Sequence, residues 1–135
     1  MDEDADPYPT ADQRGKSAAE SAARLARMLG RDAHEAELGV WVELARHFAA
    51  CQLESLEAAA STLIGREALP RDAPVIGAGC GRFLSRRLAE RLERPYVDFA
   101  DLIDAAPDVR EMAARSAPAV SVALLATHTG NPKTV

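Results

Sequence analysis

Apolar residues recur along this chain first at helical spacing, then in two short continuous runs, then at helical spacing again. Residues 1-15 carry acids and two prolines, Pro7 and Pro9, without periodicity, and read as an extended or disordered lead-in. Asp12 to Ser17 is a polar turn. Ser17 followed by Glu20 predicts a capping box, because the serine oxygen and the glutamate each satisfy a backbone donor at a helix start. Ala18, Ala22, Leu25, Met28 and Leu29 then fall on one side of a helix that Gly30 ends. A second stripe, Leu38, Trp41, Leu44, Ala45, Phe48, Cys51, Gln52, Ser55, Leu56, Ala59 and Leu63, predicts a helix from about Asp32 to Ile64. At about 1.5 Å per residue it would run roughly 45 Å, longer than a small domain is wide, so a break near Gly39 or extension against another lobe is expected. Trp41 reads as a core anchor and His47 as a boundary histidine beside the stripe.

After the polar connection Arg66 to Asp72, the run Ala73-Pro74-Val75-Ile76 meets alternate glycines at Gly77, Gly79 and Gly81 and then a helix from Arg82 to Leu92. Phe83, Leu84, Leu88, Ala89 and Leu92 give that helix a sheet-facing side. Pro95 to Phe99 reads as a second strand, so the unit is a right-handed βαβ. Asp101 to Ile103 is a short turn or helical piece, Pro107 starts another, and Pro118 introduces an apolar helix from Ala119 to Thr127. Residues 129-135 read as a disordered tail. The expected fold class is therefore helix-rich α/β, with one domain over residues 16-128. Two strands are too few for an independent sheet, and the edges and faces they expose need a cover.

The glycine stretch carries the candidate chemistry. Alternate glycines allow positive φ and close approach of a ligand, and a following helix N-terminus attracts anions, which suggests a phosphate or nucleotide loop. A dinucleotide fingerprint fits Gly77 and Gly79 but meets Arg82 at its third glycine. A methyltransferase-like loop finds Asp98 for its second acid and Gly77 where the first belongs. No P-loop sequence occurs. The alternative is a glycine turn that binds nothing.

Composition narrows the partners. With 47% apolar, 27% charged and only 4% aromatic residues and a net charge of -5, the chain offers neither a basic stripe nor a stacking platform, so nucleic acid is not expected. Arg82, Arg86, Arg87, Arg91 and Arg94, interleaved with Glu90 and Glu93, read as a solvated helix face. Cys51 and Cys80 belong to different elements, form no CxxC and have no histidine at ligand spacing, which suggests a reducing cytoplasm and no structural zinc. The acidic N-terminus is unlike a secretory signal, and no apolar run approaches membrane-spanning length.

Four segments together carry a resemblance: Pro9-Thr10-Ala11-Asp12 with Gly15-Lys16-Ser17; Ser21 to Met28; Val75 to Gly79; and Pro95 to Phe99. They resemble the hydantoinase A/oxoprolinase-like proteins linked to tetrahydromethanopterin one-carbon metabolism, which are similar to the archaeal condensing enzymes of methanofuran biosynthesis. The resemblance covers Pro9 to about Ala126, the C-terminal half or less of such a protein. It implies a partial C-terminal lobe of the acetate and sugar kinase/Hsp70/actin fold. It also implies a phosphate-bearing ligand near Gly77, Gly79, Cys80 and Gly81, with Asp12, Lys16 and Ser17 as a polar loop and Arg24 as a lesser candidate. Mg2+ with ATP or a pyrophosphate substrate, and a missing N-terminal lobe or a homo-oligomer as partner, follow from the same resemblance. Gln13 departs from the pattern, standing where glycine is expected. The alternatives are a small nucleotide- or S-adenosylmethionine-binding domain using Asp98, and a noncatalytic helical interaction module.

Overall fold

The computed structural model describes residues 8–129, with side chains through Thr127. The chain divides into two compact units, Met1–Ala59 and Ala60–Val135. The architecture is helix-rich α/β with one small parallel sheet, in the order α1 (Ala18–Met28), a 3-10 turn (Ala33–Glu35), α2 (Leu38–Arg66), β1 (Val75–Gly77), α3 (Arg82–Arg91), β2 (Tyr96–Asp98), α4 (Phe99–Leu102), α5 (Pro107–Arg115) and α6 (Ala117–Thr129).

In the first unit, α1 begins with the expected capping box. The Glu20 N–H donates to Ser17 Oγ at 3.3 Å, and the Ser17 N–H donates back to Glu20 Oε2 at 3.1 Å. Its end is a Schellman motif around Gly30, whose φ of 68° is free of cost without a Cβ. There the Gly30 N–H bonds Arg27 O at 3.1 Å and the Arg31 N–H bonds Ala26 O at 2.9 Å.

The second helix starts later than the periodicity predicts. Asp32 is extended, and the 3-10 turn after it is closed by Glu35 accepting from the Asp32 N–H at 2.7 Å. That detour presents the Ala33 carbonyl to Trp41, whose Nε1–H donates to it at 2.9 Å. The indole is 6% exposed and packs on Ala22 and Ala26 of α1, so Trp41 is the anchor the sequence suggests. Only Trp41 and Leu53 of α2 are buried; Phe48, Leu56 and Leu63 of the predicted stripe are exposed.

In the second unit β1 and β2 pair in parallel, with Val75 opposite Tyr96, Ile76 opposite Val97 and Gly77 opposite Asp98. Arg94 fixes the approach to the sheet by donating to the carbonyls of Pro70 at 2.7 Å and Ala73 at 3.0 Å. Helix α3 packs on both strands; Ala89 is its buried residue, at 1% exposed, while Phe83 is 48% exposed, contrary to its expected sheet-facing place. The remaining buried positions of this unit are Gly77, Ile103, Ala114 and Ala117. Helix α6 is mostly apolar in sequence yet leaves Val122 and Leu125 exposed.

Two helices end where no glycine announces it. Ala68 after α2 and Glu93 after α3 take φ of 49° and 50°, and each stands at the centre of a Schellman motif. In the first, Leu69 N–H bonds Ile64 O at 3.1 Å; in the second, Arg94 N–H bonds Ala89 O at 3.0 Å. A left-handed residue with a Cβ costs about 1 kcal/mol, so Ala68→Gly and Glu93→Gly are each expected to stabilise the fold by roughly 0.5–1 kcal/mol in urea denaturation. Trp41→Ala is expected to cost about 3–5 kcal/mol in the same assay, because it removes a large buried ring and orphans the Ala33 carbonyl.

Candidate functional site

The candidate residues fall into two sets, one in each unit. In the first, Asp12 ties the lead-in onto α1. A turn closes with Gln13 N–H on Thr10 O at 2.8 Å and puts Gln13 at φ 56°, the conformation for which glycine is suited. Asp12 Oδ1 accepts from the Arg14 N–H and from Arg24 Nη1, both at 3.3 Å, and Oδ2 accepts from Arg27 Nη2 at 2.7 Å. Arg24 also donates to Gly15 O at 3.0 Å and Ser21 Oγ at 3.0 Å. Ser17 is committed to capping, and its hydroxyl donates to Glu20 Oε2 at 2.6 Å. Lys16 is half-buried in the same loop. Asp12, Ser17, Arg24 and Arg27 thus form one polar seam that holds the loop to the helix.

In the second unit the glycines have three separate reasons. Gly77 is buried opposite Asp98, and a Cβ there would run into the ring and hydroxyl of Tyr96. Gly79 has φ 75°, and its N–H donates to Ala114 O at 3.0 Å, which ties the turn to α5. Gly81 is the N-cap of α3 at φ −83°, with open space where a side chain would stand, and Cys80 beside it is exposed. The Leu84 and Ser85 N–H groups return to Gly81 O at 2.9 and 3.3 Å, whereas the N–H groups of Gly81, Arg82 and Phe83 have no acceptor among the described residues.

Beneath this turn lies a charged network. Arg82 Nη1 donates to Asp98 Oδ1 at 2.7 Å and Nη2 reaches Glu111, which also accepts from Arg115 Nε at 3.0 Å. Asp98 Oδ1 additionally takes the Ala100 N–H, and Oδ2 takes the Tyr96 hydroxyl, each at 3.0 Å. Arg82 and Asp98 side chains are 17% and 18% exposed. Desolvation pushes the Asp98 pKa up, but the Ala100 N–H, Arg82 and the Tyr96 hydroxyl outweigh it and hold the carboxyl below its usual range. Desolvation and then the hydrogen bond and charge of Asp98 push the Tyr96 hydroxyl up. Desolvation draws Arg82 down, but Asp98 and Glu111 together hold it above its usual value.

Arginines expected as a solvated face are therefore engaged: Arg82 in this network, Arg94 on carbonyls, and Arg86 over the Tyr96 ring at 4.3 Å. A ribose role for Asp98 meets oxygens already taken by protein donors. The turn fits an anion, through three unengaged amides and the space at Gly81. It does not fit Mg2+, since its nearby acid, Asp98, is held by arginine.

One grouping escaped the sequence reading. His47 lies one helical turn before Cys51, with Nε2 3.6 Å from Sγ. The signal was present as a His-x-x-x-Cys spacing on a helix. No known protein family, curated protein or solved structure matches this chain.

The seam at Asp12 yields a pH prediction. Desolvation raises its pKa, but the Thr10 hydroxyl, the Arg14 N–H, Arg27 and Arg24 outweigh it and lower the value from 3.8 to about 2. The stabilisation is therefore complete above the unfolded value of 3.8 and is lost as the pH falls through about 2. Asp12→Asn is expected to be less stable than the parent near neutral pH, with the gap in urea midpoint narrowing between those two values.

Proposed function

We propose that this chain is the C-terminal portion of a two-lobed enzyme. The enzyme would be similar to the hydantoinase A/oxoprolinase-like proteins of tetrahydromethanopterin- and methanofuran-linked one-carbon metabolism, in the acetate and sugar kinase/Hsp70/actin fold. The chain's own part is to hold the phosphate-bearing end of a ligand at the turn from Gly79 to Phe83. The observation that carries this reading is the placement of the turn. It follows the carboxyl end of β1 in a parallel pair, where ligands of open α/β sheets bind, and it opens α3 with the N–H groups of Gly81, Arg82 and Phe83 unengaged. Gly81 leaves room for the anion, and Gly79 bends the chain while its own N–H braces the turn on α5.

The turn supplies oriented dipoles toward a phosphate, and it supplies neither a base nor an acidic metal ligand. Mg2+ accompanying ATP or a pyrophosphate substrate would then be met by carboxylates of a complementary lobe. Two reactions are implied by the resemblance, condensation of an amine with a pyrophosphate-activated furan and ATP-dependent opening of a cyclic amide. In both, charge on the departing phosphate must be met from two sides, and one lobe furnishes one side. The reading as a noncatalytic interaction module rests on a different observation, the exposure of Phe48, Leu56 and Leu63 on α2 and of Val122 and Leu125 on α6.

Calorimetric titration of the chain with pyrophosphate, ADP and ATP, each with Mg2+, separates the two. Binding without turnover is expected, and Gly81→Leu should abolish it, because φ −83° accepts a side chain without strain and the new bulk fills the mouth of the turn. Failure of all three anions to bind favours the interaction module, and turnover by the isolated chain overturns the division between lobes.

A further inference from the structure

We infer that His47 and Cys51 form half of a tetrahedral site for a borderline-soft divalent cation of the zinc class, completed by the same pair from a second copy of this chain. The inference stands on α2 and does not depend on the glycine turn. Zinc–sulfur and zinc–nitrogen bonds of about 2.3 and 2.05 Å, meeting at a tetrahedral angle, hold their donor atoms about 3.5 Å apart. Cys51 Sγ and His47 Nε2 already stand 3.6 Å apart, so a metal closes on the pair without moving the helix. A thiolate with an imidazole selects zinc-class ions over Mg2+ or Ca2+, which take oxygen donors.

The helix keeps both donors in register. They sit one turn apart within the unbroken run of α2, and the Phe48 ring lies tilted at 47° against the imidazole, 6.1 Å between centroids. Both donors are exposed, so the pair is open to metal and to another chain.

Two donors make an edge, and a closed structural site needs four. Among the described residues no group of three or more His, Cys, Asp or Glu is placed to hold a metal, so none of them adds a third donor to the pair, and the proposal takes the other two from a second copy. A two-fold crossing of α2 on its copy supplies them, because symmetry brings an identical Cys–His edge to the opposite side of the ion. The flanks of the edge suit that contact: Val40 and Phe48 are 57% and 46% exposed on the same side of the helix and would be covered by the crossing.

The test titrates cobalt(II), as a spectroscopic stand-in, into the full chain under reducing conditions. Absorbance and light-scattering mass are read together. Expected are a thiolate-to-cobalt band in the near ultraviolet, d–d bands of tetrahedral intensity, one cobalt per two chains, a mass that doubles with metal, and displacement by zinc. Cys51→Ser and His47→Gln change exposed positions, and circular dichroism verifies their helix. Each should weaken binding by about tenfold or more. Cys80 is retained in both variants, so a lost thiolate band is assignable to Cys51. Absence of the band, its persistence in Cys51→Ser, or binding of one metal per monomer overturns the proposal.

Discussion

The Asp98 carboxylate is the point on which the second unit is assembled. One oxygen receives Arg82 from the first turn of α3 and the N–H that opens α4, and the other receives the Tyr96 hydroxyl from its own strand. Through Arg82 the same network reaches Glu111 on α5. A carboxylate partly withdrawn from solvent is costly unless its lone pairs are met. Meeting them fixes where α3, α4 and α5 begin or lie relative to β2. Gly77 belongs to this arrangement, since the absence of its Cβ leaves the space in which Tyr96 reaches Asp98.

The packing around this hub uses small residues. The buried positions are mostly alanines, including Ala22 and Ala26 on α1, Ala89 on α3, and Ala114 and Ala117 where α5 meets α6, and no large side chain among the described residues is fully buried. Alanine brings backbones close but removes little apolar area from water. The larger apolar side chains consequently remain on outer faces, most visibly on α2 and α6. No helix among the described residues is long and apolar enough to cross a membrane.

The glycine turn is tied into the same network. Its one left-handed glycine donates to α5, its last glycine opens outward, and Arg82 at the start of α3 is held by Asp98 and Glu111. The charged residues below the turn pair with one another, Arg82 with Asp98 and Glu111 and Arg115 with Glu111.

Local rules determined much of this molecule. The Ser17–Glu20 box, the Gly30 stop, the two apolar runs as strands, and the starts at Pro107 and near Pro118 depend on residues within a few positions of each other, so they are legible in the chain. Trp41 could be read as an anchor because an aromatic ring within an apolar stripe has few other places to go. What the sequence could not specify depended on partners distant along the chain. The helix ends at Ala68 and Glu93 carry no glycine; the residues that follow them, Leu69 and Arg94, meet across the fold, where Arg94 Nη2 donates to the Leu69 carbonyl at 3.4 Å. Periodicity places Phe83 toward the sheet, but it is 48% exposed while Ala89 of the same helix is buried. The arginines of α3 read as a solvated face, yet Asp98 and the Tyr96 ring lie across the fold from them and claim Arg82 and Arg86. Charge and periodicity are properties of a segment, whereas the partner that uses them is set by which segments the fold brings together.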